Sequence, residues 1–165
     1  MTLDLTLILI LAATVATGLL AGASLDKAIV QLPARHRMGM TEFANFSRAN
    51  DLGNGLFVYP LMGIIAALLT ILAALTVFLQ RILLSHAWPV YVAAFLAISH
   101  SFTTARAAPN MLSLRQPSDD EAALVDILNR FARWHNVRAV LQVLNFVVLI
   151  WSIVAYVLVR SQRSR

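Results

Sequence analysis

The chain has 165 residues, of which 59% are hydrophobic and only 13% are charged, a composition far outside that of an ordinary soluble domain. It contains no cysteine, which excludes disulfides, thiolate metal sites and covalently attached haem. The net charge of +5 does not indicate a nucleic-acid partner, because the basic residues are scattered at helix ends and in loops. We therefore expect an integral membrane protein.

Four stretches are free of formal charge and long enough to cross about 30 Å of hydrocarbon as helices. They are residues 5–25, 56–80, 87–105 and 139–159. Runs of this length indicate helices and not a barrel, whose strands would be short and alternating. The sequence predicts an all-α integral membrane protein in which residues 1–165 form a single four-helix transmembrane bundle.

The first predicted span carries Gly18 and Gly22 at the Gly-x-x-x-Gly spacing that lets another helix approach closely. We favour packing within the chain over a dimer motif, because this spacing is frequent in apolar segments. The small residues of 21–23 have the form of a signal-peptidase site. However, the segment carries Asp4 and no Lys or Arg before them, so we expect it to remain as a span.

The connection over residues 26–54 contains a helical segment at 41–49 and ends in a polar helix face formed by Ser47, Asn50, Asp51 and Asn54. With four spans, this connection and residues 106–138 lie on the same side of the membrane. Asp51 can then meet Arg138. A paired charge at a membrane boundary costs much less than a lone one.

The last helix is expected to be unusually long. Ser118 followed by Glu121 has the spacing of a capping box, and no Gly or Pro occurs from there to the end of the chain. A single helix over about 119–160 would be about 60 Å long, twice the bilayer, so its first part, 119–138, must extend beyond the membrane as an amphipathic segment.

The strongest functional signal lies on this helix. His135, Arg138, Gln142 and Asn145 follow at steps of three, four and three, so they share one helix face. Polar groups carried into hydrocarbon are expensive and usually face a partner, a cavity or a substrate path. His100 in the third span lies at a depth similar to that of Asn145. We expect a lipid-accessible site along this face.

The sequence Thr103-Thr104-Ala-Arg-Ala-Ala-Pro109-Asn110-Met-Leu112, followed by Trp134-His135-Asn-Val-Arg138 before the last span, resembles the anthrone oxygenase-like family of small four-span membrane proteins. Much of that family is described only as a domain of unknown function. The resemblance implies oxidation of a polyketide anthrone to an anthraquinone by dioxygen, without a cofactor. The positions that match by this resemblance are Pro109, Asn110, Trp134, His135 and Arg138.

These residues predict a mechanism for a lipophilic aromatic or polyketide-type substrate that enters from the bilayer. His135 would remove a proton, since a histidine titrates near neutral pH, and Arg138 with Asn110 would stabilise the developing oxyanion. The residues expected to line the substrate site are Trp134, His100, Asp51, Asn54, Gln142 and Asn145.

Two other readings remain open. One is an isomerase or oxidoreductase that holds haem b through His100 or His135 in an oligomer, although no two histidines have local metal-ligand spacing. The other is a membrane scaffold or small-molecule binder in which the polar face fixes helix register. In every reading the expected partners are the lipid bilayer and a second copy of the chain. We expect the bacterial cytoplasmic membrane, with cytoplasmic termini.

Overall fold

The computed structural model describes residues 4–116 and 120–163, and every secondary structure element in that part of the chain is a helix. The elements in chain order are α1 (Leu5–Asp26), a π-helical turn (Lys27–Gln31), α2 (Leu32–Met38), α3 (Met40–Asn50), α4 (Gly55–Leu79), α5 (Leu84–Leu112), a 3-10 turn (Ser113–Arg115) and α6 (Glu121–Arg163). The first helix continues through the π-helical turn into α2, well past the predicted end of the first span.

The four longest helices, α1, α4, α5 and α6, pack in a ring. α1 contacts α4 and α6, and α5 contacts the same two helices. α1 and α6 run in opposite directions, because Ser24 at the end of α1 contacts His135, whereas Asp4 before α1 contacts Tyr156 near the end of α6. Buried polar side chains from all four helices therefore face a shared interior.

Among the described residues, three helices are long and apolar enough to cross a membrane: Leu5–Met38, Gly55–Leu79 and Glu121–Ser161. They contain three of the four predicted spans and expose large apolar side chains such as Leu19, Leu68 and Val147. This surface is consistent with a membrane protein. The remaining predicted span lies within α5, which carries more Ser, Thr and His and two prolines.

The two long connections pack together at one end of the ring, as expected. Their apolar cluster joins α2, α3, the end of α5 and the beginning of α6, with Phe43, Leu114 and Leu128 at its centre. Two arginines stabilise this cluster by donating hydrogen bonds to backbone carbonyl oxygens. Arg48 donates to Leu114 at 2.7 Å and Arg35 donates to Leu128 at 3.2 Å. We call this end of the ring the connection end.

The long last helix is confirmed, since α6 runs without interruption for 43 residues. Its first turn is capped by Asp120, whose carboxylate accepts hydrogen bonds from the backbone N–H groups of Ala122 and Ala123 at 3.0 and 3.2 Å. Ser118, the first residue of the predicted capping box, lies outside the described residues. The helical segment predicted at 41–49 is also confirmed, as α3.

Gly18 allows α1 and α6 to come close together. A Cβ atom at this position would lie 2.7 Å from Cε2 of Phe146, much closer than carbon atoms normally approach. A Cβ at Gly22 would meet nothing within 4 Å. The glycine spacing of the first span therefore serves packing within the chain at Gly18, as predicted.

An apolar layer crosses the interior between the connection end and the opposite end. It is formed by Ala13, Ala93 and Leu149, which are completely buried. Beyond this layer a polar cluster joins α1, α4 and α6 at the end where the chain termini lie. There the Tyr156 hydroxyl lies 2.9 Å from the Asp4 carboxylate, and the side-chain amide of Gln80 contacts both Tyr156 and Thr6.

Candidate functional site

The polar face of α6 points into the interior of the ring. The exposed fractions of His135, Gln142 and Asn145 are only 1%, 2% and 4%, and Arg138 is half-buried among them. The helical spacing of these residues in the sequence therefore predicted correctly that their shared face points inward. Because these groups are withdrawn from water, the partners that each one finds decide what the site can do.

Both ring nitrogens of His135 are engaged. Nδ1 lies 2.6 Å from Nη2 of Arg138, and Nε2 lies 3.0 Å from the carbonyl oxygen of Ser24. A guanidinium can only donate, and a carbonyl can only accept, so Nδ1 accepts and the proton of the neutral ring is on Nε2. The Phe131 ring packs against the imidazole with a centroid separation of 5.5 Å. In this arrangement His135 orients Arg138.

Lys27 is a site residue that the sequence analysis did not identify. Its ammonium group forms a buried ion pair with Asp51, and it also lies 5.8 Å from the centre of the Phe131 ring. Lys27 begins the π-helical turn, which changes the direction of the side chains that follow α1. From the sequence, Lys27 was expected to lie in a polar connection. The π-helical turn could not be predicted, because such turns have no strong sequence pattern.

Arg138 has no ion-pair partner in the described part of the chain. Asp51, which the sequence analysis placed opposite Arg138, is bonded to Lys27, although its charge still attracts the guanidinium. The Nε atom of Arg138 is buried and has no hydrogen-bond partner among the described residues. Two positive charges, on Lys27 and Arg138, thus face one buried carboxylate, that of Asp51, and the exposed Asp26 adds a weaker attraction to Lys27. The buried groups by themselves carry one excess positive charge.

His100 connects α5 to the same polar face. Its Nε2 atom lies 2.6 Å from Nε2 of Gln142 and 3.3 Å from the hydroxyl of Thr104. The amide of Gln142 donates, so Nε2 of His100 accepts. Gly63 of α4 lies beside the same ring, because a Cβ there would be 3.6 Å from Cε1 of His100. α4, α5 and α6 therefore meet at this level.

Three of the residues predicted for the site lie elsewhere. The Asn110 side-chain amide donates to the carbonyl of Arg106 on its own helix at 3.0 Å. Trp134 packs against the apolar cluster of the connection end. Asn54 is exposed just before α4. The structure brings His135, Arg138, Lys27 and Asp51 together in one group. His100 and Gln142 form a second group that lies close enough to Arg138 to sense its charge, and Asn145 is buried one turn farther along α6.

The contacts of His100 and His135 do not fit the hypothesis that the chain binds haem. Nε2 of His100 is bonded to Gln142, and both nitrogens of buried His135 have partners, so neither residue offers Nε2 to an axial ligand position. The described residues also contain no group of three or more His, Asp or Glu side chains that could hold a metal ion. We therefore derive no step through a haem or a metal.

Two surface cavities lie at the other end of the ring, near the turn between α4 and α5. One of about 640 Å³ is lined by residues including Arg81 and Tyr91. The other, of about 260 Å³, is lined by residues including Trp88 and Trp151. Neither includes a residue of the polar face on α6.

No model of a known protein family matches the chain, and searches of curated proteins and of solved structures find no match. The resemblance to anthrone oxygenase-like proteins therefore rests on the residues quoted from the sequence.

Proposed function

We propose that this chain is a four-span membrane enzyme that binds the ionised oxygen of a lipophilic aromatic or polyketide-type molecule at Arg138. As the resemblance to anthrone oxygenase-like proteins implies, it would promote the reaction of this molecule with dioxygen without a cofactor. The observation that carries the proposal is the guanidinium of half-buried Arg138, which is oriented by His135, has a buried Nε–H without a partner and lacks a carboxylate partner among the described residues.

The fourth span of this proposal is α5. Its large apolar side chains Trp88, Val92, Phe95, Ile98 and Phe102 are exposed and follow at steps of three and four, so they form one outward stripe. Arg106 lies over the Phe102 ring at 5.1 Å, where a long basic side chain can reach the headgroup region. This stripe supports a membrane position for α5 beside the three more apolar helices.

The excess positive charge explains why an anion would bind. Removing an ion from water costs several kcal/mol unless a counter-ion and hydrogen bonds replace the water. An enolate or phenolate oxygen at Arg138 would neutralise the site and accept from the unpaired Nε–H. Arginine suits this role because its planar group stays charged and offers several donors.

Burial and, second, the charge of Arg138 lower the pKa of His135 to about 3, so its imidazole is a weak base without a substrate. Negative charge that develops on a substrate oxygen at Arg138 would offset the guanidinium charge, and this gives His135 a role as a base. While Nδ1 accepts a hydrogen bond from Arg138, its lone pair is occupied. When the carbonyl oxygen of the neutral substrate takes the guanidinium, Nδ1 becomes free to accept a proton from the CH₂ carbon that is conjugated with this carbonyl, and the negative charge of the resulting enolate comes to rest on the oxygen at Arg138. The Ser24 carbonyl, which accepts from Nε2, then stabilises the imidazolium. One molecule of dioxygen oxidises the resulting carbanion, so that the CH₂ becomes a carbonyl and water is released.

The test is conversion of anthrone to anthraquinone by the purified protein in lipid nanodiscs, measured against nanodiscs alone. We expect Arg138→Met to lower the rate by about a hundredfold, the usual effect of removing one donor to an oxyanion. Arg133→Met is the matched control, since Arg133 is exposed on the same helix. No conversion by the unaltered chain above the background rate would overturn the oxygenase reaction.

A non-catalytic scaffold is the second candidate, and one observation favours it. The contacts of His135 with Ser24 and of His100 with Gln142 join different helices, as expected of a network that fixes helix register. His135→Ala and Arg138→Ala separate the two. Folded, monodisperse protein that has lost substrate binding or turnover supports chemistry. Loss of folded protein in both variants supports a structural role.

A further inference from the structure

We propose that the ligand held at Arg138 also carries a hydroxyl group, which binds among three buried oxygen atoms deeper in the ring by donating its one hydrogen to an amide oxygen and accepting from the hydroxyl of Thr17. This inference rests on the proposed function and specifies its ligand. The atoms are Oγ1 of Thr17, Oε1 of Gln142 and Oδ1 of Asn145, and none has a hydrogen-bond partner among the described residues. We call them the inner oxygens.

The burial of these residues makes the missing partners significant. The exposed fractions of Thr17, Gln142 and Asn145 are 1%, 2% and 4%. Most buried polar groups in proteins are hydrogen-bonded, and leaving one without a partner destabilises the fold. Three such atoms on two adjacent helices indicate a place that something else fills.

Other buried hydroxyls of the same helices find local partners. Thr14 donates to the carbonyl of Ile10 at 2.7 Å, and Ser152 donates to that of Val148 at 2.8 Å. This bond to the preceding turn is the ordinary solution for Ser and Thr in an apolar helix. Thr17 lies only one turn from Thr14 but has no such partner. Local helix geometry therefore does not account for the orientation of Thr17.

Two of the inner oxygens belong to neighbouring positions on α1 and α6. Thr17 precedes Gly18, and Asn145 precedes Phe146, whose ring a Cβ at Gly18 would meet at 2.7 Å. Gln142 is one turn away on α6, with its amide nitrogen held by His100. Since amide oxygens only accept, the group that binds them must be a donor, such as a hydroxyl. A metal cation is disfavoured because the site already has an excess positive charge.

Helix geometry sets the size of the ligand. Gln142 and Asn145 are one and two turns from Arg138, which corresponds to about 6 and 10 Å along the axis. The ligand would therefore be an elongated, rigid, apolar molecule with an acidic oxygen at one end and a hydroxyl group toward the other. Its acidic oxygen would face the connection end, and its hydroxyl would lie deeper in the membrane.

Two probes test this arrangement: 6-hydroxy-2-naphthoate, with a carboxylate and a hydroxyl at opposite ends of a rigid ring system, and 2-naphthoate, which lacks the hydroxyl. Binding to the full chain in nanodiscs would be measured by calorimetry. We expect the hydroxylated probe to bind about tenfold more tightly, the effect of one well-formed hydrogen bond. The double variant Thr17→Val with Asn145→Leu removes two of the three inner oxygens and should lose most of this preference.

The controls remove buried hydroxyls that already have partners. Thr14→Val and Ser152→Ala should keep the preference for the hydroxylated probe. Equal binding of the two probes by the unaltered chain, abolished by Arg138→Met, would overturn the hydroxyl subsite and leave the anion site standing. Water alone at the inner oxygens would give that result. Failure of both probes to bind, or binding unaffected by Arg138→Met, would overturn the anion site and the subsite together.

Discussion

Lys27 and Asp51 form an ion pair that is almost wholly buried, with side-chain exposures of 5% and 7%. Such a pair stabilises the fold only when both partners are present, because either charge alone would be buried without water or a counter-ion. The pair also joins the π-helical turn to the end of α3, next to Arg138. It therefore fixes the positions of two segments beside Arg138 in the candidate site.

Removing one partner should be costly, and removing both should cost much less. We expect Lys27→Met to lower the free energy of unfolding by about 3 to 5 kcal/mol, because Asp51 is left unpaired. The double variant Lys27→Met with Asp51→Leu should recover most of this loss. Thermal denaturation followed by circular dichroism in detergent measures both. Equal destabilisation by the single and double variants would contradict the pairing argument.

The residues of the site differ in how far the sequence could predict them. His135, Arg138, Gln142 and Asn145 share a face through spacing alone, and that prediction holds for the direction of their side chains. The hydrogen-bond or ion-pair partner of each group could not be predicted from the sequence, because it depends on how the other helices pack. Asn110 shows this, since a helix-end amide can bond to its own preceding turn and leave nothing for a substrate.

At the scale of the helices, the contact between α1 and α6 depends on Gly18. We expect Gly18→Ala to destabilise the fold by about 1 to 3 kcal/mol, because its Cβ would meet the Phe146 ring and force the helices apart. Gly22→Ala is the matched control. It should be neutral or slightly stabilising, because alanine favours the helix and the space at Gly22 is open.

The melting temperature of each variant in the same detergent checks this pair. A third variant, Gly18→Ala with Phe146→Leu, should recover stability, because the smaller side chain makes room for the new methyl group. If Gly18→Ala and Gly22→Ala have the same effect, close approach at Gly18 does not limit packing. The sequence predicted packing within the chain, but only the structure distinguishes the two glycines.

The π-helical turn is the element that the sequence could least predict. Apolar length was enough to predict α4, and the absence of Gly and Pro predicted the length of α6; the bounds of both helices differ little from expectation. The first helix was expected to end near Leu25, where charged residues begin. It continues instead, because Lys27 finds Asp51 and can be buried within a helix. The ion pair between Lys27 and Asp51 therefore outweighs the expectation that an apolar helix ends where charged residues begin.

At the scale of the whole molecule, the number of spans decides which side each connection occupies. Since the chain has no cysteine, a single introduced cysteine reports its own side without background. Ser85 and Ser113 are exposed serines near the two ends of α5. With four spans and cytoplasmic termini, a membrane-impermeant maleimide added to intact cells should label Ser113→Cys and leave Ser85→Cys unlabelled until the cells are opened.

The opposite labelling pattern would keep four spans but reverse the orientation of the protein. Labelling of both positions from the same side would contradict a membrane-spanning α5. The charge distribution alone could not decide orientation, because basic residues occur both in the long connections and near the C-terminus. Several of them, such as Arg35 and Arg48, are occupied with backbone carbonyls and serve packing.

The apolar layer of Ala13, Ala93 and Leu149 has a consequence for bioenergetics. A polar interior that ran from one face of the bilayer to the other would let protons leak and dissipate the gradient across the membrane. Along α1 and α6, the side chains of this layer lie between Arg138 and His135 on one side and the polar cluster at Asp4 and Tyr156 on the other. Under the proposed function, a proton taken from a substrate would then return to the side of the connection end, and turnover would leave the proton gradient intact.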